Sequence, residues 1–200
     1  IAVTIPAVIP FAFAYIFKLL IDQVVSIVAG APANFNLIIT ILIFSIFYQL
    51  QAEAESMKPS YEKATFAGGC FWGMEKLFSE LEGVVSTRVV YTGGHVKDPS
   101  YEIVCTGITG HAEAIEAPYD PSKISYGKLL EVFFSTHDPT TLDRQGNDVG
   151  SQYRSAIFYN EIAQEKAAAK AIELLMQAKV FKNKIVTEIK PAGEFYSAED

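Results

Sequence analysis

The chain has 200 residues, half of them hydrophobic, and its 16 basic and 23 acidic side chains give a formal charge of -7. This acidity excludes recognition of nucleic acid through a basic patch. Two cysteines are too few for a disulfide framework, so the fold must rest on an apolar core.

The first fifty residues carry only Lys18 and Asp22 as charges and are read as an apolar helical segment. The run Ile1 to Phe17 approaches the length of a membrane span, and Gly30-Ala31-Pro32-Ala33 reads as a turn. Leu37 to Leu50 falls short of the roughly 20 residues that a spanning helix needs. The first reading of residues 1–50 is a membrane anchor or hairpin. Two others compete with it: the core of a signal peptide cleaved near Ala52-Glu53-Ala54, and an unrelated reading frame fused upstream. The start at Ile1 instead of Met is read as a fragment of a longer chain. A genuine anchor implies a membrane-tethered or exported protein, and its absence a cytoplasmic one.

Residues 51–60 read as a polar linker, and the catalytic domain is expected over 61–200. Lys63–Ala67 is expected as a strand. Cys70–Leu81 has the period of an amphipathic helix, and Val84–Tyr91 is a β-branched strand after the break at Gly83. Thr92–Tyr101 reads as a loop and His111–Ala117 as a strand closed by Pro118 and Pro121. Ser125–Thr136 follows as a helix with Leu129, Leu130, Val132 and Phe133 inward. The polar stretch His137–Gln152 is a loop of a length that usually has a function. Ser155–Tyr159 reads as a strand, Asn160 as the cap of an alanine-rich helix to about Lys179, and Ile185–Ile189 as the last strand. Strands and helices alternate around polar loops, so the domain is α/β or α+β with its site in the loops.

The chemistry centres on Gly68-Gly-Cys-Phe-Trp-Gly73. Two glycines between a strand and a helix permit a sharp turn and close backbone approach. A cysteine at the helix start then meets unpaired amides and a dipole that stabilise an anion, the setting of a reactive thiolate. Phe71 and Trp72 supply an apolar wall. Cys105, flanked by Ile103 and Val104, reads as a buried small hydrophobe. Whether it bridges Cys70 cannot be read from spacing. Glu113 is an acid among alanines, and burial beside a sulfur nucleophile would raise its pKa and let it donate a proton. Asp148 reads as a turn residue in a glycine-rich loop. Tyr101 is a hydrogen-bond donor or a rim aromatic. The scattered His95, His111 and His137 give no metal-ligand spacing, and a Cys–His hydrolase remains an alternative.

Several segments in this order resemble peptide methionine sulfoxide reductase A: Gly69-Cys-Phe-Trp-Gly73, Thr109-Gly-His-Ala-Glu113, His137-Asp-Pro-Thr140, the stretch from Gln145 through Asp148 and Tyr153 to Ser155, and Phe195-Tyr-Ser-Ala-Glu-Asp200. The resemblance runs over residues 61–200. It implies an α/β fold, more closely an α+β two-layer sandwich around a mixed β-sheet. It also implies repair of oxidised proteins and peptides by reduction of methionine S-sulfoxide.

By resemblance, Cys70 attacks the sulfoxide sulfur and is left as a sulfenic acid, while Phe71 and Trp72 hold the S-methyl group. Glu113 protonates the sulfoxide oxygen, Tyr101 and Tyr153 hold that oxygen, and Asp148 supports the hydrogen-bond network. No metal or prosthetic cofactor is implied. Thioredoxin or a small dithiol is the reductant, and a monomer is expected. In many relatives the resolving thiol lies in a tail beyond the position of Asp200. Cys105 is the other candidate here, at a position relatives do not generally use, so slow recycling by external thiols is expected. The alternative outside catalysis is a membrane-tethered redox sensor in which Cys70 reports oxidation.

Overall fold

The computed structural model describes residues 35–56 and 60–198, together with Lys18, Leu19, Asp22 and Ser26. The chain divides into two units, Ile1–Lys58 and Pro59–Asp200, and the second carries every candidate site residue.

In the first unit, helix α1 spans Phe35–Ser56. It continues through Gln51–Ser56, the first part of the stretch expected as a linker, because Gln, Ala and Glu are good helix formers. Among the described residues no helix is long and apolar enough to cross a membrane. The membrane expectation therefore has no support there. The run Ile1–Phe17 and the turn at Gly30–Ala33 lie outside the described residues.

The second unit is built on strands β1 (Glu62–Gly68), β2 (Arg88–Thr92), β3 (Ala112–Tyr119), β4 (Arg144–Gln145), β5 (Asp148–Val149), β6 (Ser155–Tyr159), β7 (Glu188–Pro191) and β8 (Phe195–Ser197). Its helices are α2 (Phe71–Ser79), α3 (Tyr101–Cys105), α4 (Tyr126–Thr136) and α5 (Ile162–Gln177), with a 3-10 turn at Ser151–Tyr153. Six strands form one sheet in the order β7-β6-β1-β3-β2-β8, while β4 and β5 pair apart from it. The sheet is mixed: β6 and β7 are parallel and the other neighbours antiparallel.

Alternation of side chains across each strand separates two faces. Phe66, Tyr91, Ile115 and Ile157 point to the face that packs Phe71, Met74 and Phe78 of α2 and Leu129, Leu130, Phe133 and Phe134 of α4. Ala67, Val90, Ala114 and Phe158 point the other way into a smaller cluster with Phe195. This is the two-layer α/β arrangement expected.

Several boundaries differ from the sequence reading. Strand β3 runs through Pro118 to Tyr119, because the Pro118 carbonyl still accepts from Val85 N–H at 2.8 Å. Strand β2 begins only at Arg88. Asn160 does not cap α5: its side chain donates to the Lys63 carbonyl at 3.1 Å, and Glu161 is the cap residue. The last expected strand shifts to Glu188–Pro191, and β8 follows where none was expected.

Candidate active site

Strand β1 ends at Gly68, and Gly69, at φ +100°, turns the chain into α2 with Cys70 in the cap position. Only glycine holds that backbone angle without strain. Close approach adds a second constraint. A Cβ on Gly69 would lie 2.6 Å from Gln145 Cγ, and one on Gly68 would lie 3.1 Å from the His137 ring. The turn leaves Cys70 exposed at the N-terminus of α2.

No side chain of the cap residue satisfies the first amides of α2. Phe71 N–H instead donates to Glu113 Oε2 at 3.2 Å. Sheet register explains the contact. Phe66 lies opposite Ile115, so β1 runs out toward Glu113, which shares the helix-bearing face with Ile115. Glu113 is 2% exposed. Burial raises its carboxyl to about 7, against the pull of the Phe71 amide and helped by the Asp148 charge.

Three further groups gather around Glu113. Tyr101, the first residue of α3, is pushed up to about 12, chiefly by a hydrogen bond to the Cys105 thiol and by its charge, then by Tyr153 and Glu113. Burial raises Tyr153, with the charges of Glu113, Cys105 and Asp148 acting in the same direction. Both phenols are thus protonated donors at neutral pH. Asp148 is exposed on β5. Phe71 belongs to the core, with its ring 5.4 Å from Trp72 in edge contact and 5.7 Å from Tyr91. Trp72 is 52% exposed beside it.

The family model described as peptide methionine sulfoxide reductase matches residues 62–200. The chain belongs to that family. Its match with the peptide methionine sulfoxide reductase MsrA of Methanothermobacter thermautotrophicus is 57% identical over 140 residues, 70% of this chain and 83% of the relative. Among solved structures, Mxr1 from Saccharomyces cerevisiae in reduced form matches with a TM-score of 0.66 at 37% identity, covering 70% of this chain and 81% of that one. Mxr1 in complex with Trx2 matches with a TM-score of 0.52 at 30% identity, over the same shares of the two chains. The enzyme is an oxidoreductase of the peptide methionine sulfoxide reductase type.

In this reductase Cys105 is exposed beside Tyr101, not buried as expected. Tyr101–Cys105 is a helical turn that sends Val104 into the core. Two histidines have structural tasks. His111 accepts from Gly94 N–H at Nδ1 and bonds the Val96 carbonyl at Nε2. His137 bonds the Phe133 carbonyl at Nδ1 and Ser155 Oγ at Nε2, both at 2.7 Å. Both nitrogens of each of these two rings are engaged, so neither His111 nor His137 is free to serve Cys70 as a base.

Four residues brace the site in ways that sequence reasoning did not assign to them. Gln145 packs on Gly69, His137 packs on Gly68, and Ser155 continues the His137 contact to Thr187 at 2.8 Å. Arg154, almost buried, donates to the Ser151 and Gly110 carbonyls and pairs with Glu188 at 3.1 Å. The usable signal was the density of polar residues between His137 and Ser155.

Proposed function

We propose that this reductase converts methionine S-sulfoxide, free or in proteins, to methionine, with Cys70 as nucleophile and Glu113 as general acid. The observation that carries the proposal is Glu113: a buried carboxyl, raised to about 7, bonded to the amide next to Cys70. Near neutral pH such a group holds a proton and can deliver it.

The Cys70 thiolate bonds to the sulfoxide sulfur as the Glu113 proton passes to the sulfoxide oxygen. Tyr101 and Tyr153 donate hydrogen bonds to that oxygen as charge gathers on it. Trp72, with the edge of Phe71, holds the S-methyl group. The sulfur–oxygen bond breaks as the hydroxyl passes to the Cys70 sulfur, and the bond between the two sulfurs breaks with its electron pair going to the methionine sulfur; methionine leaves and Cys70 remains as a sulfenic acid. Glu113 regains a proton from solvent. A second thiol then condenses with the sulfenic acid, releasing water and forming a disulfide, which a dithiol reduces by exchange. Thioredoxin is the proposed dithiol, supported by the Trx2 complex of the yeast relative. Asp148 and the two phenols hold the oxygen-binding network, and repair of oxidised proteins is the biological setting.

The test is single turnover with dabsyl-methionine S-sulfoxide in the absence of reductant. One equivalent of methionine should appear as Cys70 is oxidised, and Cys70→Ser should form none. Methionine formation by Cys70→Ser would overturn the proposal, and oxidation of Cys70 without methionine would favour a redox sensor.

A further inference from the structure

We propose that Gln145 is a positioning residue that closes the Asp138–Gly150 loop over the Cys70 turn and thereby fixes Asp148 near Glu113. The inference rests on Glu113 as the general acid. Gln145 touches neither the reacting thiol nor the acid in this scheme, so it acts through others.

One side chain makes three connections. Its methylene stem occupies the space over Gly69, with Cγ and Cβ at 2.6 and 2.9 Å from where a Cβ on that glycine would stand. Its amide brackets one residue at the loop entrance, accepting from Asp138 N–H and donating to the Asp138 carbonyl, each at 3.2 Å. Its backbone pairs with Asp148 across the two-residue strands β4 and β5. The loop has its own bracing in Gly150 N–H to the Asp143 carbonyl at 2.9 Å and Thr141 Oγ1 to the Arg144 carbonyl at 2.6 Å. Those bonds hold the loop together but do not reach the Cys70 turn. Gln145 does, and this ties Asp148 to the element that carries the thiol.

Glu113 is faced by the Phe71 amide from the α2 side and by Tyr101 from α3. Asp148 faces it from β5, Tyr153 from the 3-10 turn, and Tyr91 is its cross-strand neighbour on β2. Of these, Asp148 alone rides on the hairpin that Gln145 anchors. Its negative charge favours the protonated Glu113. A loosened hairpin lets that charge move away, so Glu113 loses its proton at lower pH.

The test compares Gln145→Met, which keeps the stem and loses the bracket, with Gln145→Glu, which keeps the acceptor and loses the donor. Single-turnover reduction of the S-sulfoxide, without reductant, is followed by rapid quench from pH 5.5 to 9 over a range of substrate concentrations, with Glu113→Gln measured in parallel. Gln145→Met should lower the saturating rate about 10-fold with the half-saturating substrate concentration changed less than 2-fold, the scale of a small misplacement of catalytic groups. Its alkaline limb should move to lower pH, and Gln145→Glu should fall between Met and wild type. A limb that stays in place in Gln145→Met, whatever happens to its melting temperature, overturns the proposal. If Glu113→Gln retains the wild-type limb, the general-acid reading itself fails and this inference with it.

Discussion

In the proposed mechanism Glu113 sets the pH dependence, because only its protonated form can donate. With the carboxyl at about 7, the population of active acid falls as pH rises through neutrality. Wild-type single-turnover rates should therefore decline above about pH 7. Glu113→Gln should lower them at least 100-fold at pH 6.5, where general-acid catalysis contributes about 10²–10⁴. The check is rapid-quench methionine formation across pH 5.5–9, and a Gln variant with the wild-type profile would remove Glu113 from the mechanism. The position of Cys70 was legible from residues alone, since Gly-Gly before an amphipathic run predicts a turn into a helix start. The raised carboxyl of Glu113 was legible only as a consequence of burial, and the burial itself was not, because it depends on β3 placing that one carboxyl opposite the first amide of α2. Cys105 was misread because its neighbours suggested burial, while a single helical turn decided which residue faces the core.

The turn from β1 to α2 is held from both sides, by the His137 ring against Gly68 and the Gln145 stem against Gly69. Gly69→Ala must adopt φ near +100° and also displace Gln145. The backbone term costs about 1–2 kcal/mol and the overpacking about 1–3 kcal/mol. Urea denaturation should show a loss of about 2–5 kcal/mol, with reduction slowed further because Cys70 moves with the turn. A loss below about 0.5 kcal/mol would show that the loop yields freely. At this scale, long periodic elements such as α4 were legible: Ser125 caps it through a 3.2 Å bond from Lys128 N–H, and Leu129, Leu130 and Phe133 are buried. The short elements α3, β4, β5 and β8 were not legible. A two-residue strand has too little periodicity to be recognised, and only its partner fixes it.

For the whole domain, the same buried groups set stability in opposite directions. His137 is held below its ordinary value by burial, so below pH 6.5 the unfolded chain takes up its proton more readily than the folded one. That contribution to stability is complete above pH 6.5 and is lost as pH falls through the lower folded value. Glu113 behaves in reverse. Its carboxyl is raised from 4.5 to about 7, so the folded state holds the extra proton. Stability from this group is complete below about pH 4.5 and is lost as pH rises toward 7. The loss has a ceiling on the order of 3 kcal/mol, from 1.36 kcal/mol per pH unit. Between pH 5 and 6.5 the two slopes oppose each other, which flattens the wild-type profile. Glu113→Gln keeps an acceptor for the Phe71 amide but removes the falling slope. Its stability should therefore rise from pH 5 to 6.5 and then level off, and its difference from wild type should swing in its favour by about 1–3 kcal/mol between pH 5 and 7.5. The variant would gain stability where it loses catalysis, as expected where a carboxyl is buried for its acidity. Chemical denaturation of both proteins at pH 5, 6, 7 and 8 tests this. A difference between them that does not change with pH would show that Glu113 titrates alike in the folded and unfolded chains.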